Sequence, residues 1–377
     1  MSPVTVPAKK TLKGSPTIAS GSGGPATGRF LWVDAIRGLA CVAVVLRHLG
    51  FPASSHAGLA LLFPAWLMSF HTLCAAGVYA FFVLSGFVIA HSLRANALDG
   101  RSVGNFILRR QVRLDPVYWV AMLLGLLAGA LHSSVPNFFI NALYLQGLLN
   151  KKQIIGPSWT LCLEIQFYLV FIAVLVAGRF ARRMTEGNNA TTVSVGLLFV
   201  TGLLSLGLKL SHVFFAAIFI SYWHYFVLGV LSYYAVKGVV SLRAYYGFLG
   251  AFFVALVFSP LDKIADFGTQ HSLALASMLV ALLTAISLVY AALNGRMEKW
   301  GNTPILQYLG RISYTLYLTH TLVIYMVTSR LSTYANEKWP SLGVYALCIA
   351  VSIGIAHVLH LLVERPTMKW ASRLKSS

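Results

Sequence analysis

The chain has 377 residues, of which 58% are hydrophobic and only 10% charged, with a mean hydropathy of +0.74. Soluble domains carry roughly 25% charged residues, so these values exclude a water-soluble globular fold and a disordered or fibrous chain alike. The net charge of +19 reflects 29 Lys and Arg against 10 Asp and Glu; the basic residues sit in short gaps between apolar runs and read as membrane-topology signals, not as a nucleic-acid surface.

Residues 1–28 are rich in Gly, Ser, Pro, Thr and Ala and carry Lys9, Lys10 and Lys13. They have no apolar core of the kind a cleaved signal peptide needs, so a disordered, basic, cytoplasmic tail is expected. Apolar runs then follow at about 31–50, 72–92, 115–132, 159–178, 192–210, 213–236, 244–260, 271–293, 311–329 and 343–363. At about 20 residues per span, they predict an all-α integral membrane protein with about ten transmembrane helices. The division is weakest between the fifth and sixth runs, where only Lys209, Ser211 and His212 interrupt. The stretch from Phe138 to Leu149 is too short to span and predicts an interfacial or re-entrant piece.

If the N-terminus is cytoplasmic, most basic residues fall in inner segments, among them Arg109, Arg110, Arg113, Arg179, Arg182 and Arg183. The outer segments hold few, such as Lys151, Lys152 and Lys338. This bias predicts that both termini are cytoplasmic. One membrane domain is expected over 29–370, with a short cytoplasmic tail at 371–377. Cys41, Cys74, Cys162 and Cys348 lie inside apolar runs without metal-ligand spacing; they read as core residues, and no metal site is expected.

Ionisable residues inside spans are costly and therefore mark function by default. The first helix carries Asp34, Arg37, Arg47 and His48. Asp34 and Arg37 are spaced to pair on one face, which is also the pattern of a snorkelling interfacial pair. Arg37 and His48 are eleven residues apart, so their directions agree within about 20° and their heights differ by about 16 Å. A cation and an imidazole on one stripe suit the lining of a pathway; His48 alone could equally be an interfacial histidine. Glu164 lies about one and a half turns into the fourth helix from Trp159, at a depth similar to His48. It could orient His48, bind a sugar hydroxyl or pair with Arg47. Tyr314, Tyr317 and His320 form a polar stripe that could line a pocket or bond between helices. Ser85 with Gly86 reads first as a close-packing site.

The segment VDAIRGLACVAVVLRH places Arg37 and His48 in an R-x10-H pattern that resembles the opening signature of the acyltransferase-3 family of integral membrane O-acyltransferases. FFVLSGFVIAHSLR at 81–94 and RRQVRLDPVYW at 109–119, the latter read as a loop entering the third helix, resemble further family segments. So do PSWTLCLEIQFYL at 157–169, GRISYTLYLTH at 310–320 and VERP at 363–366. The likeness runs from about residue 30 to 370.

The resemblance implies transfer of an acyl group, commonly acetyl, from cytoplasmic acyl-CoA to a hydroxyl of a cell-surface or exported carbohydrate or glycolipid. It also implies a multi-pass protein of the bacterial inner membrane. The residues fit such chemistry. A hydroxyl proton must be removed near neutral pH, which suits His, so His48, with Glu164, is the expected catalytic centre. Phosphates on the donor call for Arg, so Arg37, Arg110 and Arg113 are the expected acyl-CoA site. Asp34, Arg47, Trp159, Tyr317 and His320 complete the expected substrate-binding set. Acyl-CoA acts as donor substrate, and no bound cofactor and no nucleic-acid partner are expected. A rival of another class is a transporter or flippase for a lipid-linked or anionic small molecule, with Arg37, His48 and Glu164 as a relay path; the lack of a visible internal repeat counts against it.

Overall fold

The computed structural model describes residues 30–55, 65–93, 100–127, 133–184, 190–211, 213, 215–258, 270–335 and 338–374. The basic tail at 1–28, together with Arg94, His212, Lys263 and Lys375, lies outside the described residues. Every regular element among the described residues is helical. In chain order these are α1 (Leu31–Ser55), α2 (Ala65–Leu73), α3 (Gly77–Ser92), α4 (Gly100–Leu127), the short α5 (Val135–Ala142) and α6 (Trp159–Met184). Then come α7 (Ala190–Leu210), α8 (Trp223–Val236), α9 (Leu242–Val257), α10 (Gln270–Leu293), α11 (Pro304–Arg330), α12 (Ser332–Ala335) and α13 (Lys338–Leu359). A π-helical turn over His360–Glu364 joins α13 to α14 (Arg365–Arg373).

Each expected apolar run overlaps a helix among the described residues. Among the described residues, five helical stretches are long and apolar enough to cross a membrane, judged by length and composition: Trp66–Ser92, Gly156–Ala181, Ala190–Leu210, Ser272–Leu293 and Trp339–Arg373. Large apolar side chains such as Leu127, Val200, Phe253 and Leu362 are exposed around the bundle. In lipid an apolar exterior carries no cost, while backbone polar groups must be satisfied internally, which helices achieve.

Two local expectations need correction. RRQVRLDPVYW is not a loop entering a helix: α4 begins at Gly100 and runs through Arg109, Arg110, Arg113 and Pro116. The helix tolerates these charges because Arg110 and Arg113 line an internal cavity. The sixth run also starts late, since α-helix resumes only at Trp223, after a single 3-10 turn over Phe219–Ser221. In the irregular piece before it, the Gln166 side chain from α6 satisfies the backbone, donating to Ala217 O at 3.0 Å and accepting from Phe219 N at 3.1 Å. Ser221 Oγ accepts from Phe215 N at 2.8 Å. Within a bilayer, non-helical backbone survives only where protein groups supply such bonds.

Two close helix pairs organise the bundle. The parallel helices α1 and α11 run in register at a constant offset of 272 residues, as the Cys41–Ser313 and His48–His320 bonds show. Gly38 and Gly310 permit this approach. A Cβ on Gly38 would lie 2.9 Å from Gly310 N, and one on Gly310 would run into the Asp34 carbonyl oxygen. Likewise α3 meets α8 where a Cβ on Gly86 would strike Phe226 O and one on Gly229 would strike Val83 O. Small residues are the usual means of bringing membrane helices together. Behind α3 and α8, Phe167 stacks on Phe226 with ring centroids 4.1 Å apart.

Candidate active site

A cavity of about 670 Å³ opens among α1, α3, α4, α6, α11 and the π turn. Arg37, Arg110, Arg113, Arg311, Arg365 and Lys369 line it, against the carboxylates Asp34, Glu164 and Glu364. Cations thus outnumber acids in its wall. Arg37 Nη1 lies 3.8 Å from Asp34 Oδ1, so the expected i, i+3 pair is made, and it is made inside the cavity. The Arg110 guanidinium stands over the Tyr168 ring, 5.0 Å from its centroid, which fixes the charge by a cation–π contact. The Arg113 Nε is buried with no hydrogen-bond partner among the described residues. A buried donor without an acceptor is costly, and here it belongs to a side chain that faces an open cavity.

Glu164 also lines the cavity, but its partners are neither His48 nor Arg47. It accepts from Ser85 Oγ at 2.6 Å and from the Tyr168 hydroxyl. Glu364, which is buried, accepts from Thr315 Oγ1 at 2.6 Å and from His360 Nδ1 at 2.8 Å. The π turn aims His360 and Glu364 at the cavity together; such insertions recur at functional sites.

Phe81, Thr160 and Tyr317 also line the cavity. Tyr317 and Thr160 share a hydroxyl–hydroxyl bond of 2.8 Å, and Phe81 packs edge-on against Tyr317 with centroids 5.6 Å apart. One turn along α11 from Tyr317 lies His320, whose side chain is fully buried. His320 Nε2 is 3.1 Å from His48 Nδ1.

The hydrogen bonds around this pair define its neutral form. His320 Nδ1 faces Leu316 O at 3.1 Å, and His48 Nδ1 faces Val44 O at 2.9 Å. A carbonyl can only accept, so both rings carry their proton on Nδ1. His320 Nε2 is then the acceptor for His48 Nδ1–H, which is shared with Val44 O. The lone pair of His48 is left on Nε2, and His48 itself is only half-buried. An imidazole held in this tautomer by a second group is the arrangement that general-base catalysis uses.

The expected site residues therefore divide. Asp34, Arg37, Arg110, Arg113, Glu164 and Tyr317 converge on the cavity. His48, expected as catalytic, and His320, expected in the substrate-binding set, form one pair. Arg47 is half-buried beside His48 in α1. Trp159 packs against Phe82 and Tyr222 with centroids 6.2 and 5.6 Å away, and it does not line the cavity. Sequence reasoning missed the Ser85–Glu164 bond, Glu364 and the added cations Arg311, Arg365 and Lys369. Glu364 had a signal in the VERP segment; Ser85 had one in FFVLSGFVIA. No three His, Cys, Asp or Glu side chains converge as a metal site among the described residues.

A family model described as "Acyltransferase domain" matches residues 30–361. The chain is 28% identical over 386 residues to acyltransferase MdmB of Streptomyces mycarofaciens, an overlap covering 90% of this chain and 91% of that protein. It is 28% identical over 316 residues to the exopolysaccharide production protein ExoZ of Rhizobium meliloti, covering 79% of this chain and 90% of that protein. No solved structure matches it closely enough to compare.

Proposed function

The chain belongs to the acyltransferase-3 family, whose model spans residues 30–361, and from that premise we propose a membrane O-acyltransferase that moves an acyl group, acetyl first, from acyl-CoA to a carbohydrate hydroxyl. The observation that carries the reading is one cavity whose wall holds more cations than carboxylates, with a histidine pair one helical turn past its lining residue Tyr317. The cationic wall suits the donor: Arg37, Arg110 and Arg113 meet its phosphates, and the orphan Arg113 Nε gains an acceptor. The flexible pantetheine arm carries the thioester toward Tyr317. Two bacterial relatives, one named for exopolysaccharide production, support a carbohydrate acceptor and a bacterial cytoplasmic membrane.

In the step proposed, His48 Nε2 takes the proton of the acceptor hydroxyl as its oxygen attacks the thioester carbonyl carbon. The C–O bond forms, the C–S bond breaks, and the thiolate leaves as CoA thiol with the proton that His48 carried. The charge that builds on His48 strengthens its Nδ1–H bond to His320, which acts as a positioning residue. Glu164, held by Ser85 and Tyr168, offers its remaining lone pairs to substrate hydroxyls.

The test is release of free thiol from acetyl-CoA by purified protein, with and without a glycan acceptor. Acceptor-dependent thiol release supports the reading. A protein that moves an anionic molecule across a bilayer while leaving the thioester intact would overturn it in favour of a transporter.

A further inference from the structure

The π turn and helix α14 together present two adjacent stripes to two different hollows. His360, Glu364, Met368 and Ser372 face the cavity. Leu361, Pro366, Trp370 and Arg373 face a separate recess of about 290 Å³. Arg365 and Lys369 line both. One helical turn apart, they form a cationic ridge between the two hollows. Both side chains are exposed, and neither makes an ion pair with a carboxylate among the described residues. Arg373 extends the same row by another turn, and the exposed Trp370 supplies an aromatic face beside it.

Two cations on a ridge, a third in line and a flat ring alongside suit a phosphate monoester attached to an aromatic base. Resting on the acyltransferase reading above, we infer that this recess holds the 3′-phosphorylated nucleotide end of the donor, with Arg365 and Lys369 gripping the 3′-phosphate. The 5′-diphosphate then crosses the ridge into the cavity, where Arg37, Arg110 and Arg113 meet it, and the pantetheine arm runs on from there. The recess thereby selects CoA-borne acyl groups against phosphopantetheine carriers, which lack that phosphate. The same oxyanion chemistry could come from an anionic lipid headgroup at the membrane surface, and the experiment separates the two.

Binding of CoA and of 3′-dephospho-CoA is measured by calorimetry on the full chain in nanodiscs of phosphatidylcholine alone. Wild type should bind CoA at least about tenfold more tightly, the worth of one charge-assisted contact. The exposed double variant Arg365→Gln/Lys369→Gln should lose that preference, binding CoA and 3′-dephospho-CoA equally. Equal binding of the two ligands by wild type, or a preference that survives in the variant, overturns the inference. The measurements are repeated with phosphatidylglycerol in the discs. A variant that differs from wild type only there, through a changed thermal midpoint and no change in CoA affinity, makes the recess a lipid site and also overturns it. Absence of any CoA binding sinks both this inference and the acyl-CoA reading. Preferential CoA binding without thiol release leaves the nucleotide site standing and removes only the catalytic reading.

Discussion

His320 Nε2 lies 3.1 Å from His48 Nδ1, and the backbone carbonyls of Val44 and Leu316 fix the proton on Nδ1 of each ring. The pair exists because α1 and α11 run parallel in one register, with Gly38 and Gly310 at the crossing. Further along the same two helices, the Asp34–Arg37 ion pair and Tyr317 border the cavity. The Asp34–Arg37 charges and the histidine pair are thus mounted on one helix pair.

Replacing both Arg110 and Arg113 by Ala should weaken acyl-CoA binding while the protein stays folded. Each lost charge-assisted contact is worth about 1.5–3 kcal/mol, or about ten- to hundredfold in affinity. Arg37→Lys should also weaken binding, because a point charge replaces the planar fork. Direct donor titration checks both; unaltered affinity in the double variant would leave the arginines as topology signals.

Gly310→Ala should destabilise the protein by about 1–3 kcal/mol, the usual cost of overpacking, because its Cβ meets the Asp34 carbonyl. Gly343→Ala, where a Cβ meets nothing within 4 Å, is the matched control. Thermal unfolding of the two variants in the same detergent should separate them. If the midpoints coincide, α1 and α11 are not as close as described.

Ser85→Ala should keep transfer within about tenfold of wild type. Glu164 retains Tyr168 as a donor, and the proposed step passes directly from thioester to acceptor. A loss beyond about a hundredfold, together with acylated Ser85 found by mass spectrometry in wild type, would instead make Ser85 a nucleophile paired with Glu164.

Reporter fusions test the proposed ten-span arrangement. A fusion after Arg183 should report cytoplasm, and one at Lys151 the opposite side. A cytoplasmic signal at Lys151 would place His48 on the donor's side and undo the proposed division of substrates.

Hydropathy made the helices legible because each apolar run is a local property, and a helix satisfies its own backbone wherever lipid surrounds it. The start of α4 was not legible. Arg109 to Arg113 look like a boundary, and only the bundle reveals a cavity that takes in Arg110 and Arg113. The irregular stretch before Trp223 was hidden for a similar reason, since its backbone bonds end on Gln166 from another helix. Arg37 and Glu164, singled out from the sequence, line the cavity, whereas His48, on the stripe of Arg37, does not. Their partners could not be read, because bonds to His320 and Ser85 depend on the register of helices far apart in sequence.

The most direct test of the account is acceptor-dependent thiol release from acetyl-CoA across pH, measured for wild type, His48→Ala, His320→Ala and His320→Gln, with donor affinity measured alongside. A base must be neutral to act, so the wild-type rate should rise with pH through the histidine range and then level off. His48→Ala should lose about 10²–10⁴-fold in rate with donor affinity intact. His320→Ala should lose less and shift the pH profile, and His320→Gln, whose amide oxygen can accept from His48 Nδ1–H, should recover part of the loss. If His320→Ala abolishes transfer while His48→Ala keeps more than about a tenth of the wild-type rate, the base is His320 and the central assignment is wrong.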